Sequence, residues 1–324
     1  MKYIYLLLIC SLFYSCHSDC KNQQMNSKTV IAHRGASGYL PEHTIASKIM
    51  AHAMNVDFIE QDLVLSKDDV PIVIHDIYLD DVTDVAKKFK DRKRVDGRYY
   101  VIDFTLDELK TLIVTERFNP KTGKQVYSNR FPIWKGNFKL HSLQEEIELI
   151  QSLNKTTGKN IGIYPEIKNP AFHNNEGKDI STIVLKILSE NGYKTKKDRC
   201  ILQCFDTREL ERIRKELQSN LTLVQLIESV EETKQFKHFA NYADGVGPWY
   251  KLMLSEIVDE KFTFTSLVND AHKLGLVVHP YTFRADQLAE FDSFEQMMQV
   301  ILIEGKADGG FTDFPDLMVN FLKH

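Results

Sequence analysis

Phe58-Ile59-Glu60-Gln61-Asp62-Leu63-Val64, followed by Pro71-Ile72-Val73-Ile74 and then His75-Asp76, sets the pattern for the whole chain. Its aromatic and β-branched residues predict a strand, and the short polar gap before Pro71 makes the second run the returning arm of a hairpin. Glu60 and Asp62 stand two residues apart, so their side chains share one face of the strand. Two carboxylates aimed the same way repel, and keeping both ionised needs a cation beside them. A buried strand with acids on one face reads as a strand whose end serves chemistry.

The same rhythm recurs on both sides. Thr29-Val30-Ile31-Ala32 precedes it; Asn160 to Ile167, Cys200 to Phe205, Leu221 to Ile227, Asp244 to Gly247, Leu276 to Tyr281 and Gly309 to Thr312 follow. Helical patterns lie between many of these runs: Leu143 to Asn154, Ser181 to Glu190, Thr207 to Gln218 and Ser266 to Leu274, with Pro315 to Leu322 closing the chain. Ser142 with Glu145 at the third helical position is a capping signature. Strand then helix, repeated, predicts a parallel sheet. With the hairpin arm counted alongside its strand there are eight such units, which predicts an α/β fold, a (β/α)8 TIM barrel over residues 28–322. An open doubly wound sheet is the alternative.

One segment breaks the rhythm. Residues 76–140 carry many charges, a basic cluster from Lys87 to Arg94 and turn signals such as Asn119-Pro120. They read as an insertion after the strand hairpin, carried on the active-site rim. Arg98, Tyr99, Tyr100 and Trp134 within it offer contacts to an anionic substrate, against the plainer reading of a solvated charged face.

The 324 residues, 43% hydrophobic and 27% charged, have globular composition and exclude a disordered or collagen-like chain. With 41 Lys and Arg against 45 Asp and Glu, the net charge is −4, so no basic excess exists to hold a nucleic-acid backbone. The run from Ile4 to Tyr14 is too short to span a bilayer and suits a signal-peptide core, which predicts export through residues 1–15. The ending Ser15-Cys16 resembles a bacterial lipoprotein cleavage box, with Tyr14 bulkier than such boxes usually carry. The expectation is a periplasmic protein, lipid-anchored to a bacterial membrane if Cys16 is modified. Cys200 and Cys204, four apart on one strand, are about 13 Å apart and too far for a disulfide; they read as buried small side chains.

In a barrel, functional side chains collect at the C-terminal ends of the strands. Those ends read His33-Arg34-Gly35, Glu60 and Asp62, His75-Asp76, then Glu166 and Lys168. Glu166 at the next parallel strand end supplies a third carboxylate to Glu60 and Asp62, and an all-oxygen site suits Ca²⁺ or Mg²⁺ rather than zinc. His33 and His75 suit general acid and base work. Arg34 offers a planar fork for phosphate, and Lys168 a point charge for a developing negative oxygen. A divalent ion beside Arg and Lys is what phosphoryl chemistry needs, so these residues predict a phosphate-ester substrate. A single acidic pair would more often be a surface strand with alternating charge; three carboxylates, two imidazoles and two cations at successive strand ends make that reading poor.

The run Ile31-Ala32-His33-Arg34-Gly35-Ala36-Ser37-Gly38-Tyr39-Leu40-Pro41-Glu42-His43-Thr44 resembles the opening signature of glycerophosphodiester phosphodiesterases. Ile59 to Leu63, His75-Asp76 with Leu79-Asp80 and Thr83-Asp84, Pro165-Glu166-Ile167-Lys168 and Gly309 to Asp316 resemble that family in the same order. The insertion and the Glu42-His43-Thr44 wording are similar to its periplasmic, calcium-using branch. The resemblance implies a barrel with Glu60, Asp62 and Glu166 on the metal, His33 and His75 as acid/base pair, and Arg34 and Lys168 on the phosphate. It implies hydrolysis of glycerophosphodiesters to sn-glycerol 3-phosphate and an alcohol, by attack of the glycerol 2-hydroxyl and opening of a cyclic phosphate by water. Many members place Asn at position 43, so His43 is not counted as catalytic.

Several residues are weaker candidates. Glu42 after Pro41 reads as a helix start, where the dipole favours a carboxylate, with a supporting role at the site. Phe205, Trp249, Phe283 and Phe311 near strand ends are expected either to line the substrate cleft or to pack the core. Asp313 and Asp316 read as caps of the last helix. The rival within the class is a phosphodiesterase acting on lysophospholipid or inositol-phosphate head groups. A non-catalytic binding barrel would have lost at least one of the seven site residues, and all are present. A metal amidohydrolase wants His-x-His and a nucleotide-phosphate loop wants Gly-x4-Gly-Lys; neither occurs.

Overall fold

The computed structural model describes residues 28–258 and 261–323. The expected signal segment and Cys16 lie outside the described residues. Among the described residues there are eleven strands: β1 (Thr29–Ala32), β2 (Phe58–Leu65), β3 (Pro71–Val73), β4 (Gly162–Ile167), β5 (Ile201–Cys204), β6 (Thr222–Ile227), β7 (Gly245–Pro248), β8 (Leu254–Val258), β9 (Lys261–Phe264), β10 (Val277–Val278) and β11 (Gly309–Thr312). The main sheet runs β10-β7-β6-β5-β4-β2-β1-β11, all parallel, with β3 antiparallel on β2 as the expected hairpin arm. The Phe283 N–H donates to the Phe311 carbonyl (2.8 Å) and the Phe311 N–H to that of Pro280 (3.0 Å), joining the sheet ends into a nearly closed barrel. Its helices include α1 (Ile45–Ala53), α2 (Leu143–Thr157), α3 (Ile180–Glu190), α4 (Thr207–Lys215), α5 (Leu267–Lys273), α6 (Phe294–Met298) and α7 (Pro315–Phe321).

Strand periodicity of two separates the layers. Ile31, Phe58, Tyr164, Ile201, Val224 and Phe311 form one apolar cluster that plugs the barrel interior. The alternate residues Val30, Ala32, Ile59, Leu63, Ile163 and Leu202 join the larger core against the helices. On α2 the buried positions are Leu143, Glu146, Ile147 and Ile150, the i, i+3, i+4, i+7 stripe of an amphipathic helix. The capping box expected at Ser142 and Glu145 forms, and Gly158 ends the helix in the left-handed region at φ 69°. Glu146 is tolerated inside because Lys48, His141 and Gln61 all bond to it.

Some elements differ from the sequence reading. The strand expected over Leu276 to Tyr281 shrinks to Val277–Val278, because Pro280 has no N–H to give the ladder. The antiparallel hairpin β8–β9, before α5, was not anticipated. Helix α1 starts at Ile45 with Thr44 as its cap, accepting from the Ser47 N–H, so Glu42 precedes the helix instead of opening it. The insertion is not a loose charged loop: Leu79, Val82, Val101, Phe104, Leu109 and Val114 pack with Val64 and Ile72 into a second core. Its rim candidates make local contacts, with Trp134 still 47% exposed. Arg98 pairs with Asp80 (2.6 Å) and Asp81 (2.9 Å), Tyr99 is buried, Tyr100 stacks on Phe172, and Trp134 packs on Phe118.

Candidate active site

The turn after β1 places the first functional group. Gly35 has φ 86°, and a Cβ there would lie 2.6 Å from Ser47 Oγ and 2.8 Å from the Ser47 carbonyl carbon, so only glycine fits. Arg34, at φ 56°, sits in the left-handed region, and its backbone N–H donates to Glu60 Oε2 at 2.6 Å. Its guanidinium donates from Nη1 to Glu42 (3.0 Å) and holds Nε 3.5 Å from Asp62 Oδ2. His33 bonds through Nδ1 to Asp313 Oδ1 at 2.6 Å, and His75 through Nδ1 to Asp76 Oδ1 at 2.9 Å. In both imidazoles Nε2 lies outside this bond. Burial, then the Arg34 charge, pushes both down to about 4 against the pull of their acidic neighbours, so both are neutral near pH 7.

The carboxylates come from the barrel itself. Register pairs Asp62 with Glu166, and Glu166 with Gln203, in one row across β2, β4 and β5. The Lys168 ammonium reaches Glu166 (2.7 Å) and Asp62 (3.5 Å). Burial pushes Glu166 up to about 8, with Lys168 opposing and the Asp62 charge adding to it. Glu60 is likewise raised by burial and by the charge of Asp62. Asp62 goes the other way: burial would raise it, but Lys168, His75 and the bond from His43 hold it low. His43 Nε2 lies 2.8 Å from Asp62 Oδ2, and burial keeps this imidazole neutral, with a pKa of about 3. Ligand atoms of His43, Glu60 and Asp62 lie within 4.8 Å of one another, a possible metal site among the described residues. The sequence reading had set His43 aside.

His33, Arg34, Glu60, Asp62, His75, Glu166 and Lys168 all line one open cavity of about 330 Å³. Phe205, Trp249 and Phe311 line it as well; Phe283 does not, being fully buried where β11 closes the barrel. Glu42 stays behind the cavity wall, bonded to Arg34 and to Arg117. Asp313 is not a helix cap: α7 has no side-chain cap, and Asp313 instead holds His33 and accepts from Arg130 (2.7 Å) and Arg284 (2.8 Å). Asp316 accepts from the Tyr39 hydroxyl instead of capping. Sequence reasoning also missed Gln203, whose buried Oε1 has no partner beside Glu166. Its one signal was a polar residue inside an apolar strand. Glu116 carried none; burial and Glu42 push it up to about 8.

These observations define a class: an enzyme on an eight-stranded parallel barrel, with two aspartate-held imidazoles facing a carboxylate row. The family model described as "Glycerophosphoryl diester phosphodiesterase family" matches residues 33–317. The chain is 48% identical to a glycerophosphodiester phosphodiesterase of Haemophilus influenzae, over 94% of this chain and 93% of that one. It is 38% identical to one of Treponema pallidum, over 96% and 95%. Among solved structures it resembles an Oleispira antarctica phosphodiesterase in complex with the product sn-glycerol-3-phosphate, with TM-score 0.64 and 19% identity over 91% of this chain and 97% of that one. A Thermotoga maritima glycerophosphodiester phosphodiesterase gives 0.58 and 20% over 90% and 97%. The chain belongs to the glycerophosphoryl diester phosphodiesterase family.

Proposed function

We propose that this protein hydrolyses glycerophosphodiesters to sn-glycerol 3-phosphate and an alcohol, with His33 and His75 as the acid/base pair. The observation that carries the reading is that two imidazoles, each bonded through Nδ1 to an aspartate, share a cavity with the row from Asp62 to Glu166. The relative from Oleispira antarctica, which holds the product sn-glycerol-3-phosphate, supports the substrate class.

The residues fit a hard divalent cation. Asp62 Oδ1 is buried with no hydrogen-bond partner, and Glu60, Asp62 and Glu166 offer only oxygen, which suits Ca²⁺, with Mg²⁺ the alternative. Neutral His43 donates its Nε2 proton to Asp62 and so orients that carboxylate; the same nitrogen is then no ligand. When bound, the cation would neutralise charge on the phosphate oxygens. Arg34 and Lys168 take the remaining phosphate charge. An anionic diester beside them offsets the Arg34 charge that, after burial, holds the imidazoles low, which favours the protonated form of the one that acts as acid. Nε2 of one imidazole takes the proton of the glycerol 2-hydroxyl as its oxygen attacks phosphorus, and the other gives a proton to the departing alcohol oxygen. Water then opens the cyclic phosphate with the two roles reversed.

Phe205, Trp249 and Phe311 form the apolar part of the wall and would meet the leaving alcohol. Export through residues 1–15, with a lipid on Cys16, belongs to the same proposal; fatty-acid labelling that disappears in Cys16→Ser tests it. The activity is tested by a product assay on a panel of glycerophospho-alcohols, with chelator and then Ca²⁺ or Mg²⁺ added back. Release of sn-glycerol 3-phosphate, lost in chelator and restored by one ion, is the expected result. Full turnover in chelator would reject the metal assignment.

A further inference from the structure

The insertion sends two arginines to the site, one to each imidazole. Arg130 donates from Nη2 to Asp313 Oδ2 at 2.7 Å, the oxygen that His33 does not use and that Arg284 also reaches through Nε alone (2.8 Å). Its other contacts fix it in turn: Nε and Nη2 fork onto Asp286 (2.8 and 3.1 Å), and the guanidinium lies 3.9 Å from the Tyr127 ring centroid. Arg117 repeats the arrangement. It donates from Nη1 to Asp76 Oδ2 at 2.7 Å, while His75 holds Asp76 Oδ1. Its Nη2 and Nε take Glu42 (2.6 and 3.2 Å), the carboxylate that steadies Arg34.

Stability does not call for this. Buried ion pairs often contribute less than apolar side chains of the same volume would, because desolvation offsets their attraction. Arg130 is nonetheless almost wholly buried, and the insertion already has its own apolar core. A carboxylate with one oxygen on an imidazole and the other on a forked guanidinium has no freedom to rotate, so the ring it holds is aimed.

We propose that the inserted segment is a two-armed clamp, with Arg130 positioning His33 through Asp313 and Arg117 positioning His75 through Asp76. The clamp rests on the acid/base reading of these two histidines. Neither arginine lines the cavity, so they are positioning residues and not catalytic ones.

The experiment is a double-mutant cycle on the full chain with a glycerophosphodiester substrate. Arg130→Met should lower kcat by about 10–100-fold, the cost typical of losing such a support, with KM within about twofold. Asp313→Asn should lower it at least as far, and adding Arg130→Met to Asp313→Asn should lower it no more than about twofold further. Arg117→Met should lower kcat and also raise KM, because Glu42, which steadies Arg34, loses the guanidinium that fixes it. Arg92→Met, which breaks the insertion's own pair with Glu108 (2.8 Å) and touches neither arm, is the control: it lowers the melting temperature and leaves kcat unchanged. Arg130→Lys keeps the charge but not the fork, and should recover part of the lost kcat. Losses that multiply in the double variant, or an Arg130→Met that behaves like Arg92→Met, would overturn the clamp. If the Met variants do not fold, an Arg130→Lys with wild-type kcat overturns it equally. A wild-type protein with no glycerophosphodiester turnover would instead defeat the functional reading, a separate outcome.

Discussion

The carboxylate row and the imidazole pair are held in place by different means. Asp62, Glu166 and Gln203 are register partners on three adjacent strands, so the hydrogen-bonded ladder itself sets their spacing. His33 and His75 stand beyond their strands and depend on others for direction. His33 takes it from Asp313, 280 residues away, and His75 from Asp76, with the insertion behind both. On the proposed reading, the ion's carboxylates are thus written into the rigid sheet, whereas the acid/base pair is aimed by connecting segments. The two functions should therefore separate under mutation.

The sharpest way to break that contrast is to remove an imidazole. His75→Ala should cost about 10²–10⁴ in kcat, the usual contribution of a positioned acid or base, while calorimetry finds divalent-ion affinity preserved. A loss under about fivefold would take His75 out of the chemistry. Glu60→Gln should act from the other side. It should weaken Ca²⁺ binding by at least the 10–100-fold that loss of an outer-shell partner brings, with the melting temperature near wild type in excess ion. Equal loss of ion affinity in both variants would erase the distinction.

Proton competition gives a smaller effect. Burial holds the Glu166 carboxyl at about 8, so below that pH a cation must displace a proton to use it. Affinity should rise by up to about tenfold per pH unit for each proton displaced from pH 6 towards 8, with Glu60, raised as well, adding to Glu166. His33 and His75, near 4, stay neutral across that window and should not shape the rise. An affinity flat between pH 6 and 8 would mean that Glu166 is not in the ion's shell.

The same contrast decides what could be read from the sequence. The strands betrayed themselves because Glu60, Asp62, Glu166 and Lys168 interrupt apolar runs with a period of two, a local signal. Of the partners of the imidazoles, Asp76 stands beside His75 in the sequence, but the partner of His33 gave no such signal. Asp313 sits before Pro315 in a stretch that looks like any helix entry, and its bond to His33 exists only because β11 lies beside β1. Arg117 and Arg130 were two cations among many in a charged insertion, and nothing local marks the pair that turns inward. His43 likewise carries no local signal of its place, since its bond is to Asp62, on the next strand. The hairpin β8–β9 went unseen because Ser255, Glu256 and Lys261 dilute its apolar alternation.

The smallest effect should come from the scaffold, where local rules suffice. Ser142 accepts from the Glu145 N–H, and Glu145 reaches back to the Ser142 N–H, so the start of α2 is satisfied within itself. Ser142→Ala should cost about 1 kcal/mol of stability, the common value for an N-cap, and lower the melting temperature by only a few degrees. Neither kcat nor ion affinity should move, because α2 packs against the outer face of the barrel and meets the site only through Glu146 and the back of β2. Denaturant melts beside steady-state assays check this. A kcat loss that tracked the lost stability would show that the helix layer, and not the clamp and the ladder alone, sets the geometry of the cavity.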